Sequence, residues 1–302
     1  MPQENLGNYV DDTYRDSTIA YLTEHLSQFL RPREHVLICF DDSQFNSLGE
    51  MLVRATECCG AHPVTMGEDL RWKSLLKKAF FCKAGTIIGS PLLILGLTKL
   101  TRAKATPLYI RNVVTAGYPC PQWIIDGIKM GLDCKTWGIL DWNMSNIVAG
   151  FSCKAGCGVH LWDEAFTAEI LDEHDLPVPA GQVGELFLRR RDDPATRFPM
   201  FDRARLERKP CTCGSDAPRL LDISPGKQVD AELFALAEQL LQWTSILDCK
   251  INRTPSGLDI ELVVFPGEQL PKLPSCARLV VRPWNPEVDV PFDVSVPGLT
   301  IM

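Results

Sequence analysis

The sequence has no surplus of positive charge. Its 302 residues carry 31 Lys and Arg against 38 Asp and Glu, a net charge of -7. Binding to phosphate backbones or anionic lipid needs the opposite balance, so neither nucleic acid nor a membrane surface is an expected partner. The one basic run, Arg189-Arg190-Arg191, is followed at once by Asp192 and Asp193 and reads as a solvated turn. Long apolar runs are lacking too. The longest, Thr86 to Leu97, is interrupted by Gly89, Ser90, Pro91 and Gly96, and is too short and broken to span a bilayer. The opening residues, MPQENLGNYVDD, are polar and acidic, without the apolar stretch of an export signal. There is no internal repeat and no low-complexity segment.

What the sequence does have is cysteine, twelve in all. In a small secreted chain that number predicts a disulfide framework. In a longer chain without an export signal it predicts a cytoplasmic protein with free thiols and a metal site. The apolar share of 45% and charged share of 23% are those of a folded globular chain. The length exceeds what one core usually serves, so two domains are expected, 1–222 and 223–302.

Periodicity supplies the elements. Helical spacing of Ile19, Leu22, Leu26 and Phe29 predicts a helix over 11–30, and HVLICF at 35–40 predicts a buried strand. Further helices are expected over 47–59, 70–81, from Ser90-Pro91, and over 121–130. Strands are expected at 64–66, 86–88, 109–115 and 135–139. Strands alternating with helices of about 10 to 15 residues predict an α/β fold with a largely parallel sheet. Ligands bind such sheets beyond the carboxyl ends of the strands, which singles out the loops 116–121 and 139–150. After Gly150 short strands between turns predict an antiparallel subregion: 169–171, 184–188 and 206–207. From Ser224 on, a helix over 230–243 and strands at 246–251 and 258–265 predict a compact α+β unit, ending in a proline-rich tail.

One stretch carries most of the chemistry. Between Trp137 and Cys213 lie Cys153, Cys157, His160, Cys211 and Cys213. Thiolates and an imidazole are the ligands zinc takes in a tetrahedral site, and a Cys-x-Cys pair can chelate one ion. Buried cysteines are also common in cores, and Cys58, Cys59, Cys82, Cys134, Cys249 and Cys276 are read that way. A histidine nucleophile pair is not indicated, and His25, His35 and His62 sit in structural settings.

The same stretch resembles the phenylacetate–CoA ligase branch of the adenylate-forming enzymes. Trp137-Gly138-Ile139-Leu140-Asp141 resembles that family's YG-[LM]-[ST]-E loop. Residues 151–160 resemble its segment ending in a Cys and Gly-x-His. The glycine-bearing turn 180–186, then Arg197-Phe198-Pro199-Met200-Phe201-Asp202 for R-Y-R-T-x-D, and Cys211 to Gly214 for C-x-C-G follow in the family's order. The resemblance implies a shortened adenylate-forming domain with a small mobile C-terminal domain, using ATP or AMP and Mg²⁺ on a small-molecule acid. It implies a closed structural zinc held by Cys153, His160, Cys211 and Cys213, with Cys153 chosen over Cys157. It implies nucleotide contacts at Gly117, Trp137, Gly138, Asp141 and Asp202, with Asp141 near the magnesium and Asp202 on the ribose.

The departures from that pattern weigh against catalysis. Leu140 stands where the family has a hydroxyl, and Asp141 is one methylene shorter than Glu. Pro199 and Met200 replace an Arg and a Thr, and the Arg after Gly214 is missing. The family's Ser/Thr/Gly-rich phosphate loop would precede the point where this sequence starts. Two readings are therefore expected. One is a degenerate relative that binds a nucleotide or acyl ligand, or serves as a subunit or regulator. The other is an active acyl-CoA ligase whose phosphate loop comes from a partner chain. Either way a homo-oligomer or a partner subunit is expected to cover the core. Asp141 reads equally as a helix-start carboxylate, Asp202 as a salt-bridge partner of Arg203 or Arg205, Gly117 as a plain turn, and Trp137 as core.

Overall fold

The computed structural model describes residues 12–291 apart from 67, 68, 70, 118, 119, 143–145, 196, 228, 229, 268 and 274–277. Cys276 and parts of the loops 116–121 and 139–150 lie outside the described residues. The chain opens with α1 (Asp12–Ser27), β1 (His35–Ile38), α2 (Leu48–Cys58), β2 (His62–Thr65), α3 (Trp72–Phe81), β3 (Thr86–Gly89) and α4 (Pro91–Ala103). It continues through β4 (Asn112–Thr115), α5 (Gln122–Leu132) and β5 (Lys135–Trp142), where the alternation ends. These five strands pair in parallel in the order β2-β1-β3-β4-β5, and β3 and β4 are buried along their whole length. A parallel sheet covered on both faces needs such continuous apolar strands.

From β5 the sheet turns antiparallel without breaking. β6 (Ile147–Ser152), β7 (Val159–Leu161), β8 (Phe166–Leu171), β9 (Val183–Arg190), β10 (Arg197–Glu207) and β11 (Arg219–Pro225) extend it in the order β5-β6-β7-β11-β10-β9-β8. The antiparallel subregion thus begins at β6, inside the stretch read from sequence as a loop over 139–150. IVAGFS opens on the β-branched Ile147 and Val148 but is broken by Gly150, and pairing with β5 and β7 holds it extended. The junction is narrow. β7 and β11 pair through Arg219↔His160 and Leu220↔Val159, and Leu161 N–H donates to Pro218 O at 2.8 Å beside them.

α6 (Ala231–Leu241) then packs on a second sheet of β12 (Ile246–Thr254), β13 (Gly257–Val264) and β14 (Arg278–Pro283). β14 falls in the stretch read as a tail, and it pairs parallel to β13. Asp230 caps α6, accepting from the N–H groups of Glu232 and Leu233. Among the described residues no helix is long and apolar enough to cross a membrane.

α1 meets the antiparallel half through Tyr21, stacked on Trp162 at 4.5 Å, and through Tyr14. The buried Tyr14 hydroxyl donates to Val148 O at 2.9 Å and accepts from Val148 N–H at 3.0 Å. Removing it leaves two buried backbone groups without that partner. Tyr14→Phe is expected to lower unfolding free energy by about 1–3 kcal/mol, read from denaturant midpoints at constant m. A change within a few tenths would show that the contact contributes nothing net.

Candidate functional site

The cysteine and histidine cluster sits on the narrow junction. β6 delivers Cys153 just past its end, β7 carries His160, and the turn between β10 and β11 carries Cys211 and Cys213. Their ligand atoms all lie within 4.8 Å of one another. Cys153 Sγ is 3.8 Å from Cys211 Sγ, and Cys213 Sγ is 3.4 Å from His160 Nε2. Sulfur at about 2.3 Å and nitrogen at about 2.0 Å from one tetrahedral zinc would stand about 3.8 Å (S to S) and about 3.5 Å (S to N) apart. Two of the separations thus match the edges of a zinc tetrahedron, and the donor set is one that zinc takes. Cys157 turns elsewhere, its thiol meeting Ala155 O at 3.3 Å.

Local structure prepares the donors. His160 Nδ1 lies 3.2 Å from Ala217 O, and a carbonyl only accepts, so Nδ1 carries the proton and Nε2 offers its lone pair to the cluster. The Cys211 turn closes through Gly214 N–H to Cys211 O at 2.9 Å, and Gly214 takes a φ of +98°, a conformation L side chains rarely adopt. The backbone N–H of Cys213 is the main influence holding the Cys211 thiol down to about 6, toward the thiolate a metal binds.

A cleft of about 400 Å³ opens beside the cluster, with Tyr21 and His25 of α1 facing Phe151, Cys153, Cys213 and Ser215. The His25 ring lies 5.0 Å from that of Phe151, and its Nδ1 bonds Tyr21 O. Burial lowers its pKa.

The residues expected to meet a nucleotide divide into two groups. Gly117, Asp141 and Asp202 come together, while Trp137 does not join them. The Trp137 ring is buried in the core and stacked on Phe29, in the turn after α1, at 4.5 Å. Gly138 N–H donates to Ser152 Oγ at 2.7 Å. Gly117, at a φ of +85°, ends the turn after β4, and its N–H donates to Asp141 Oδ1 at 2.6 Å. The other Asp141 oxygen is buried with no partner among the described residues. Burial raises Asp141 to about 7 despite that bond, and Asp202 well above the usual carboxylate range, where Asp141 and then Glu185 add to the effect of burial.

Two structural alternatives are corrected here. Asp141 lies within β5 rather than at a helix start. Asp202 has neither arginine: Arg203 pairs with Glu185 at 3.7 Å and Arg205 with Asp222 at 2.7 Å. Sequence reasoning gave no role to Ser152 or Glu185, although both lie in the motif segments 151–160 and 180–186; only the fold shows that Ser152 meets Gly138 and Glu185 meets Arg203.

No model of a known family matches the sequence, and no curated protein matches it. In fold the chain is like the adenylate-forming enzymes. It superimposes on 2-hydroxyisobutyryl-CoA ligase, solved in the postadenylation state with R3-HIB-AMP, at a TM-score of 0.69 and 14% identity, covering 93% of this chain and 68% of that one. It matches a benzoate CoA ligase from Burkholderia xenovorans LB400 at a TM-score of 0.59 and 12% identity, covering 93% and 64%. The anthranilate CoA ligase AuaEII in complex with anthranoyl-AMP gives 0.58 and 12%, covering 90% and 61%. The chain thus spans about two thirds of the length of these ligases, and the likeness establishes the fold.

The raised carboxylates predict a pH signature. Below about pH 4 Asp141 is protonated in both the folded and the unfolded chain, and its contribution to stability is fully present. As pH rises from about 4 to about 7 the unfolded chain ionises it while the folded chain keeps the proton, so that contribution falls away and is gone once pH passes about 7. Asp141→Asn keeps the acceptor for Gly117 and does not ionise. Relative to the parent, the variant should gain stability across pH 4 to 7, by up to about 4 kcal/mol in unfolding titrations. A difference that does not vary with pH would contradict the assignment.

Proposed function

We propose that this chain is a degenerate relative of the phenylacetate–CoA ligases: a zinc-stapled adenylate-forming scaffold that binds an adenine nucleotide or acyl ligand without activating the acid. As such it acts as a subunit or regulator, working through a second copy of itself or another protein. The observation that carries the reading is the Asp141 to Gly117 hydrogen bond. A carboxylate that holds magnesium does so as the anion, with an oxygen open to the ion. Here one oxygen is committed to a backbone N–H, the other is withdrawn from solvent, and burial favours the neutral acid.

Two further replacements support it. Leu140, where a hydroxyl would meet the phosphates, is a buried core side chain, and so is Met200. Acyl and phosphoryl transfer depend on such positioned donors, and one lost donor costs about 10² to 10³ in rate in comparable sites. The solved ligases of the same fold hold acyl-adenylates, which speaks for a nucleotide beside Gly117 and Asp202. Zinc, if bound by Cys153, His160, Cys211 and Cys213, would be closed off by four protein ligands and would contribute to folding rather than to chemistry.

The test pairs binding with turnover. Calorimetric titration with AMP should give saturable binding that Asp202→Asn weakens. ATP–pyrophosphate exchange with benzoate, phenylacetate or 2-hydroxyisobutyrate should stay at background. Robust exchange with any of these acids would overturn the degenerate reading in favour of an active ligase.

A further inference from the structure

The resemblance implies a small C-terminal domain that moves. The contacts around Lys99 argue otherwise. Lys99 lies near the end of α4, in the run PLLILGLTKLTRA, and its side chain is buried. Its ammonium donates to Leu241 O at 2.5 Å, Ile246 O at 2.7 Å and Trp243 O at 3.2 Å. These bonds account for all three of its N–H donors. The acceptors are the last carbonyl of α6, one in the turn after it, and the first of β12. Carbonyls at a helix end have no partner within the helix, and a cation there also meets the negative end of the helix dipole.

A buried ammonium is costly unless its hydrogen bonds are complete. Burial pulls Lys99 down to about 8. The three carbonyls offset that cost while the C-terminal unit stays in place, and moving the unit away would exchange three ammonium–carbonyl bonds for bonds to water.

Independent contacts hold the same face. Leu247, Val263, Phe265 and Trp284 share one apolar core with α3, α4 and α5. Trp123 Nε1 on α5 donates to Glu238 Oε1 on α6 at 2.6 Å. Trp72 N–H at the start of α3 donates to Asp289 O at 3.1 Å, and Lys104 lies 4.8 Å from the Trp284 ring centre. The anchors are spread over three helices, so no single hinge releases them.

We propose that Lys99 is a latch that fixes the C-terminal unit on the helix layer α3–α5, so that the chain works in one conformation instead of swinging a mobile domain. This does not depend on the degenerate-ligase reading and can fail or hold separately from it.

Native-state hydrogen exchange on the full chain tests it. In the parent protein, the slowest amides of α6, β12 and β13 should open with the same free energy as those of α4 and β4. A separate, lower-energy opening of the C-terminal elements overturns the proposal. Lys99→Met keeps the stem and removes the donors. It should speed exchange in α6, β12 and β13 by at least about tenfold while leaving β1, β3 and β4 within about twofold. No change, or the same acceleration everywhere, also overturns the latch. If the variant does not fold, the parent measurement decides alone.

Discussion

The eleven-stranded sheet is continuous because β7 and β11 meet, and they meet through two residue pairs. The meander β8 to β11, on the far side of that seam, also meets α1 through the apolar cluster in which the Tyr14 ring lies 6.2 Å from that of Phe166. Two pairs are a small share of the hydrogen bonding a sheet normally carries between neighbours. The Cys153, His160, Cys211 and Cys213 cluster lies on this seam, with ligands from both sides of it. A cross-link between positions more than fifty residues apart in sequence constrains a long loop, and loop closure is where a tether contributes most. The carbonyl of Ala217 that sets the His160 tautomer comes from the same turn, so geometry and stability at the seam have one source.

The parallel half was legible because its signals are local. Apolar strands alternate with amphipathic helices whose ends carry ordinary caps, such as Ser47 and Ser90. β6, β7 and β11 were not legible as strands. VHL and IVAGFS are short, contain glycine or histidine, and owe their extension to neighbours far away in sequence. β14 hid in a proline-rich segment because it joins β13 in parallel after a long connection rather than through a hairpin. The reading of Cys58 as a core thiol also fails, since it is exposed at the end of α2.

The site was legible in kind and not in detail. Residue types alone suggested a thiolate centre, but choosing Cys153 over Cys157 required an outside resemblance, because both sit in one loop. The commitment of Asp141 to Gly117 has no sequence signature, being a contact between the ends of β4 and β5. Lys99 did leave a trace. A lysine within a helix that is otherwise apolar nearly all round is out of place on a solvated face, and such helices are buried on more than one side. That pattern could have marked a second layer over α4. These features combine into a scaffold held in place at two points. The cluster would close the sheet, and the latch would close the helix layer.

The most direct measurement of the central claim is zinc content together with local hydrogen exchange. The purified protein should carry about one zinc per chain, and stripping it with a chelator should raise exchange first in β6, β7 and β11, with β1, β3 and β4 changing least. Cys213→Ala should reproduce that pattern without chelator. A protein that holds no zinc after expression in metal-replete medium, or whose seam exchanges equally with and without it, would contradict the account.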